Sequence, residues 1–149
     1  MTRFARSMRT FMAVALLAVG SQAQAQQMQA GPPRVGPEHG SLVVVGGNMQ
    51  SPEIYKRFIE LAGGPDAPIV MIPTAGGGEE YDEFYQGLNA WRANGARNLI
   101  VLHTTDPKVA DTEAFVEPLK TAHGVFFFGG RQWHLVDAYA GTRTETEIR

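Results

Sequence analysis

The sequence predicts an α/β fold with a mainly parallel sheet flanked by helices. Two observations predict it. Four short runs, Ser41 to Val45, Pro68 to Ile72, Asn98 to Leu102 and Gly124 to Phe128, are almost continuously apolar instead of alternating, as strands covered on both faces require. Each is followed by a Gly-rich or polar loop and then a segment of helical spacing, and the runs start about 30 residues apart, the length of a βαβ unit with its crossover helix.

The segment before the first run has a different character. Arg3, Arg6 and Arg9 precede an apolar run from Phe11 to Val19, and Ala23-Gln24-Ala25 supplies a small-x-small cleavage pattern. This reads as a secretory signal peptide over residues 1–25, giving an exported product in the periplasm or outside the cell. The apolar run is about half of the ~20 residues that span a bilayer, so no membrane association is expected after cleavage. Residues 26–40, rich in Gln, Gly and Pro, read as a flexible leader with little apolar content to offset the entropy of ordering. Folding is expected from residue 41 to residue 149.

The helices carry start and stop signals. Ser51-Pro52-Glu53 places a hydroxyl at an N-cap, a proline where its missing N–H costs nothing and an acid at the positive end of the dipole. Ile54, Phe58, Ile59 and Leu61 then share a face, and Gly63-Gly64-Pro65 ends the helix. A second helix is predicted from about Glu80 to Asn94, with Phe84, Leu88 and Trp91 toward the core. A third begins near Asp111 or Thr112 and contains Pro118, which predicts a kink or break. A fourth runs through Trp133 to Tyr139, and another starts at Thr142 or Thr144. Asp106, ahead of Pro107, reads as a turn former.

Ligands of an open parallel sheet bind beyond the carboxyl ends of the strands. The loops there are Gly46-Gly47-Asn48, Pro73 to Gly78, His103 to Asp106, and Gly129-Gly130-Arg131-Gln132. Glycine lets backbone N–H groups approach a ligand, so these loops either present donors to an anion or oxyanion or are simply tight turns.

Composition narrows the chemistry. The formal charge is −2 from 13 basic and 15 acidic residues, which gives no field for nucleic acid. The first 25 residues hold three arginines and no acid, so cleavage makes the product more acidic. Cysteine is absent, excluding disulfides, thiolate nucleophiles and thiolate-bound metals. A third fingerprint glycine is missing after the first run, no Walker-type Gly-Lys-Ser/Thr occurs, and the glycines 76–78 meet Glu79 and Glu80, so nucleotide binding is disfavoured. His39, His103, His123 and His134 stand singly, without the spacing of a metal site. No metal or other cofactor is expected. The serines are Ser7, Ser21, Ser41 and Ser51. Two leave with the signal peptide, one opens a strand at the wrong end and one caps a helix, so no nucleophile elbow is present.

Gly124-Val125-Phe126-Phe127-Phe128-Gly129-Gly130-Arg131-Gln132, with Gly40 to Gly47, Leu61-Ala62-Gly63-Gly64 and Ile69 to Ala75, resembles the cyanophycinase and dipeptidase E family of serine peptidases. The resemblance runs from about Gly40 to Arg149. It implies a class I glutamine amidotransferase-like, flavodoxin-like fold and hydrolysis of bonds next to aspartyl residues. Cyanophycinases release β-aspartyl-arginine from the polymer cyanophycin, with a serine, a histidine partner and no metal. By resemblance Gly130 offers its backbone N–H to an oxyanion hole, while Gly129 and Gln132 line the substrate pocket; Arg131 takes no role. In that family the nucleophile lies in a Gly-Thr-Ser-Ala-Gly-type elbow after the next strand, just beyond where Glu147-Ile148-Arg149 stops.

The chain therefore reads as the N-terminal part of such a hydrolase, incomplete at its C-terminus and inactive alone. Its expected partner is an aspartyl peptide or cyanophycin-like substrate. A second reading is a module that binds a peptide or amino acid without cleaving it. A third is a remnant that folds poorly, with one sheet face or edge short of cover, which invites association, a homodimer included, or aggregation.

Overall fold

The computed structural model describes residues 40–149. The signal peptide, nearly all of the leader and His39 lie outside the described residues. Helix α1 (Pro52–Leu61) leads to strand β1 (Ile69–Ile72), a 3₁₀ turn (Thr74–Gly76), a second 3₁₀ turn (Gln86–Leu88) and α2 (Asn89–Ala93). Then follow β2 (Leu99–Val101), α3 (Pro107–Ala110), α4 (Glu113–Lys120), β3 (Gly124–Phe127), α5 (Trp133–Tyr139) and α6 (Arg143–Ile148). The three strands form a parallel sheet in the order β2-β1-β3, so the α/β architecture with helices on both faces is what the sequence predicts.

The central strand shows why its sequence does not alternate. All four residues of Ile69-Val70-Met71-Ile72 are fully buried, with alternate side chains leaving opposite faces. Ile69 and Met71 pack with Tyr55, Ile59, Leu88 and Trp91, contributed by α1 and the segment around α2. Val70 and Ile72 pack with Ala110, Val116, Leu119 and Tyr139 on the other face. Trp91 centres the first layer, edge-on to Tyr55 at 5.1 Å, Phe58 at 5.2 Å and Phe126 at 4.6 Å between ring centroids.

Several elements differ from the sequence reading. The run Ser41 to Val45 is not a strand. Leu42 and Val44 are exposed by 88% and 82%, and a cleft of about 460 Å³ lies between Gly40, Ser41 and Val43 on one side and Phe58, Gly124, Val125 and Phe127 on the other. A parallel ladder needs backbones 4.7–4.9 Å apart, and across this cleft the β-branched run has no partner.

The second helix is mostly absent. Residues from Glu80 to Tyr85 are irregular, with a turn at Glu83 and Phe84, and regular α-helix begins only at Asn89. Asp82 accepts the Phe84 amide N–H at 2.9 Å, a local bond that competes with the helical ladder. Phe84 is consequently 77% exposed, whereas Leu88 and Trp91 are buried as expected.

The third helical region is divided before Pro118, not by it. Asp106 caps α3 through the Lys108 amide, a stronger role than turn former. Thr112 caps α4 through the Phe115 amide, and α4 continues past Pro118 to Lys120. At α1, Ser51 and Pro52 occupy the expected positions, but the Ser51 hydroxyl meets the Glu53 carboxylate instead of a backbone amide. The last two helices, α5 and α6, start where the sequence places them. No helix among the described residues is long and apolar enough to cross a membrane.

Candidate functional site

The carboxyl ends of β1 and β3 bring two of the four loops together. After β3 the chain turns through Gly129 and Gly130. The Phe128 N–H bonds to the Ile72 carbonyl at 2.9 Å, and the Arg131 N–H bonds to the Ala75 carbonyl at 2.7 Å. Between these anchors the N–H groups of Gly129 and Gly130 have no hydrogen-bond acceptor among the described residues, and both residues are exposed.

Only glycine fits at position 130. Its φ is +148°, and a β-carbon there would fall inside the contact distance of the Ala75 carbonyl and lie 2.8 Å from the Gly76 nitrogen. Gly129 has open space around it. Gln132 is exposed at the start of α5, beside the turn. The exposed Arg131 guanidinium lies 5.5 Å from the centre of the Trp133 ring.

The glycine loop after β1 forms the other wall. Gly77 has φ +76°, and a β-carbon there would strike the His134 imidazole, 2.9 Å from Nδ1. His134 Nδ1 is in turn 3.2 Å from the Ala75 carbonyl. The Gly78 N–H donates to the Tyr81 hydroxyl at 3.0 Å. The triple glycine therefore lets two aromatic side chains lie against the backbone, and no phosphate cradle is needed to explain it.

Beyond Tyr81 opens a cleft of about 620 Å³ lined by Glu79, Glu80, Tyr81, Asp82, Tyr85, His103, Thr104 and Thr105. Tyr81 stands edge-on to Tyr85 at 4.9 Å and to His103 at 4.8 Å. Among the described residues, Glu79, Glu80 and Asp82 have no lysine or arginine within ion-pair distance. The cleft is thus acidic at its rim and aromatic along one side.

Sequence reading treated the histidines as isolated, but folding places two of them on this loop. His103 Nδ1 is 2.9 Å from the Thr74 hydroxyl, which lies 2.6 Å from the Tyr139 hydroxyl. Thr74 and Tyr139 are both buried. The signal that could have found them is weak: a threonine directly after a buried strand and a tyrosine closing an amphipathic helix. Gly46-Gly47-Asn48 stands apart from the sheet with its unpaired run, and His123 is exposed. No group of three or more metal-ligating side chains occurs among the described residues.

Burial raises the Tyr139 phenol above its ordinary value of 10.0, and the neighbouring Thr74 hydroxyl and Thr104 backbone oppose that only in part. The folded state therefore holds Tyr139 neutral while an unfolded chain ionises it. Stability is unaffected by this group below its ordinary value and falls as the pH rises through and beyond it. Alkaline unfolding followed by circular dichroism is expected to fall less steeply above pH 10 in Tyr139→Phe than in the native chain; identical profiles would contradict that assignment.

No protein-family model matches the sequence. The curated cyanophycinase of Geminocystis herdmanii (strain PCC 6308) is 30% identical over an alignment of 117 residues, and the match covers 73% of this chain and 41% of that protein. That similarity supports a cyanophycinase-like relationship. The chain spans less than half the length of the curated relative it matches.

Proposed function

We propose that this chain carries the amide-rich half of a cyanophycinase-like serine peptidase site, which holds aspartyl peptides of the β-aspartyl-arginine type. One observation carries the reading: Gly130 is exposed, locked at φ +148° against the Ala75 carbonyl, with its N–H lacking an acceptor among the described residues. A rigid, unpaired N–H beyond a strand's carboxyl end suits a developing oxyanion, because it needs no reorganisation as charge appears. Gly129 and Gln132 flank that position and would contact the peptide. The acidic cleft supports a basic side chain, since carboxylates and tyrosine faces both attract a guanidinium.

Attack on the carbonyl needs a nucleophile, and the serines of the 149 residues supply none on an elbow. The polypeptide by itself is therefore proposed to bind without turning over. Incubation with cyanophycin should release no β-aspartyl-arginine above a buffer control, and clear turnover would overturn the expectation that the chain is inactive alone. The export signal at residues 1–25 belongs to the same proposal and would place the chain outside the cytoplasm.

The acidic, aromatic cleft also favours a second reading, in which the chain is a non-catalytic module for a basic peptide or amino acid. Calorimetry separates the two: micromolar affinity for aspartyl-arginine peptides in the isolated chain favours the module, whereas weak binding favours a site that is completed by other residues.

A further inference from the structure

We infer that Thr74 is a positioning residue: oriented by Tyr139, its hydroxyl acts with the Glu79 carbonyl to fix the tautomer of His103 and so clamps the glycine loop on which the Gly130 turn is seated. The directions follow from donor and acceptor counting. His103 Nε2 lies 3.2 Å from the Glu79 carbonyl oxygen. A carbonyl only accepts, so Nε2 carries the proton. In the neutral ring Nδ1 is then bare, and the Thr74 hydroxyl 2.9 Å away must donate to it. Thr74 Oγ1 keeps lone pairs for the Tyr139 hydroxyl at 2.6 Å, which donates in turn. The result is one directed chain from Tyr139 through Thr74 and His103 to the Glu79 carbonyl, and no buried side-chain nitrogen or oxygen among the described residues lacks a partner.

The position of this chain gives it a task. Thr74 and Glu79 stand at the two ends of the loop holding Gly76, Gly77 and Gly78, and His103 bonds to both with its two ring nitrogens. The imidazole is a staple across the base of the loop. Next to Thr74, the Ala75 carbonyl accepts from the Arg131 N–H and meets His134 Nδ1, so a fixed loop base holds the Gly129-Gly130 turn in place.

The opposite tautomer breaks both ends. A bare Nε2 would face the Glu79 carbonyl, two acceptors with no proton between them. An Nδ1–H would donate to Thr74 and turn the Thr74 proton toward Tyr139, whose own proton would then lose its acceptor within this chain of bonds. The catalytic meaning of the Gly130 turn rests on the peptidase reading, but the tautomer does not.

The test is made on the full chain, free of ligand, with nitrogen-15 labelled histidine. Long-range proton–nitrogen spectra should show His103 as a single Nε2–H tautomer in the native protein and in Thr74→Ser, which keeps the hydroxyl. In Thr74→Val the single tautomer should be lost, and the Gly130 and Arg131 amide signals should shift. A native Nδ1–H ring would overturn the inference whatever the variants do, as would a Thr74→Val ring that stays purely Nε2–H. Because the readout needs no ligand, a failure to bind β-aspartyl-arginine would count against the peptidase reading and leave this result standing.

Discussion

Gly130→Ala is expected to destabilise the fold by about 2–4 kcal/mol, with the rim of the site taking the damage. The added methyl meets backbone, the Ala75 carbonyl and the Gly76 amide, which cannot rotate away as a flexible side chain would. It also forces an alanine to φ +148°, a region L-residues rarely adopt. Relief requires the turn to lift, which breaks the Arg131-to-Ala75 bond. Denaturant midpoints measure the loss, and Gly129→Ala is the control: nothing lies near a β-carbon there, so its change should stay within about 0.5 kcal/mol. Equal losses in the two variants would show that the turn is not seated as described.

Trp91→Ala should cost about 3–5 kcal/mol. The indole is 1% exposed and is the common neighbour of Tyr55, Phe58 and Phe126, so its removal opens a cavity between α1, α2 and the sheet. Those rings are held by the backbone of two separate elements, α1 and β3, and can refill the space only in part. For a domain of ordinary stability, about 5–15 kcal/mol in total, the loss is a large fraction, and thermal melting should show a fall of well over 10 °C. Phe84→Ala, from the same stretch of sequence but 77% exposed, should move the midpoint little. A large effect at Phe84 would mean that the helix predicted from Glu80 does form and buries its apolar positions.

That stretch shows what a sequence can and cannot reveal. Phe84, Leu88 and Trp91 fit one helical face, yet the Asp82 side chain captures the Phe84 amide and the chain stays irregular until Gln86. Periodicity reports which residues could share a face, but a local side-chain bond decides whether the face forms. The central strand was legible because burial on both sides leaves an unbroken apolar run. The run at Leu42 to Val45 is equally apolar, and its failure to pair has no local cause: a strand is a property of two segments, and a single run does not disclose its neighbour.

Much the same holds for the site. The turn at Gly129 and Gly130 is legible because a turn after a strand leaves its mark in consecutive residues, whereas the roles proposed for these glycines and for Gln132 come from the family resemblance. His103, Thr74 and Tyr139 could not be singled out, because their contact links positions far apart in the chain and depends on three elements docking at once. Close packing of the His134 ring on Gly77 is hidden in the same way. The triple glycine suggested a ligand loop, and the structure gives it a second purpose as room for neighbouring rings.

The central claim is that the bend after β3 and the cleft past Tyr81 form one peptide-binding rim. Titrating amide-labelled protein with β-aspartyl-arginine tests it most directly, because a product carboxylate takes the place an oxyanion would occupy while the guanidinium seeks the acidic wall. The account predicts shifts concentrated at Gly129, Gly130, Gln132, Tyr81 and Thr104, weakened by salt. Shifts gathered instead along the cleft beside Val43 and Phe127, or none up to the solubility of the dipeptide, would contradict it.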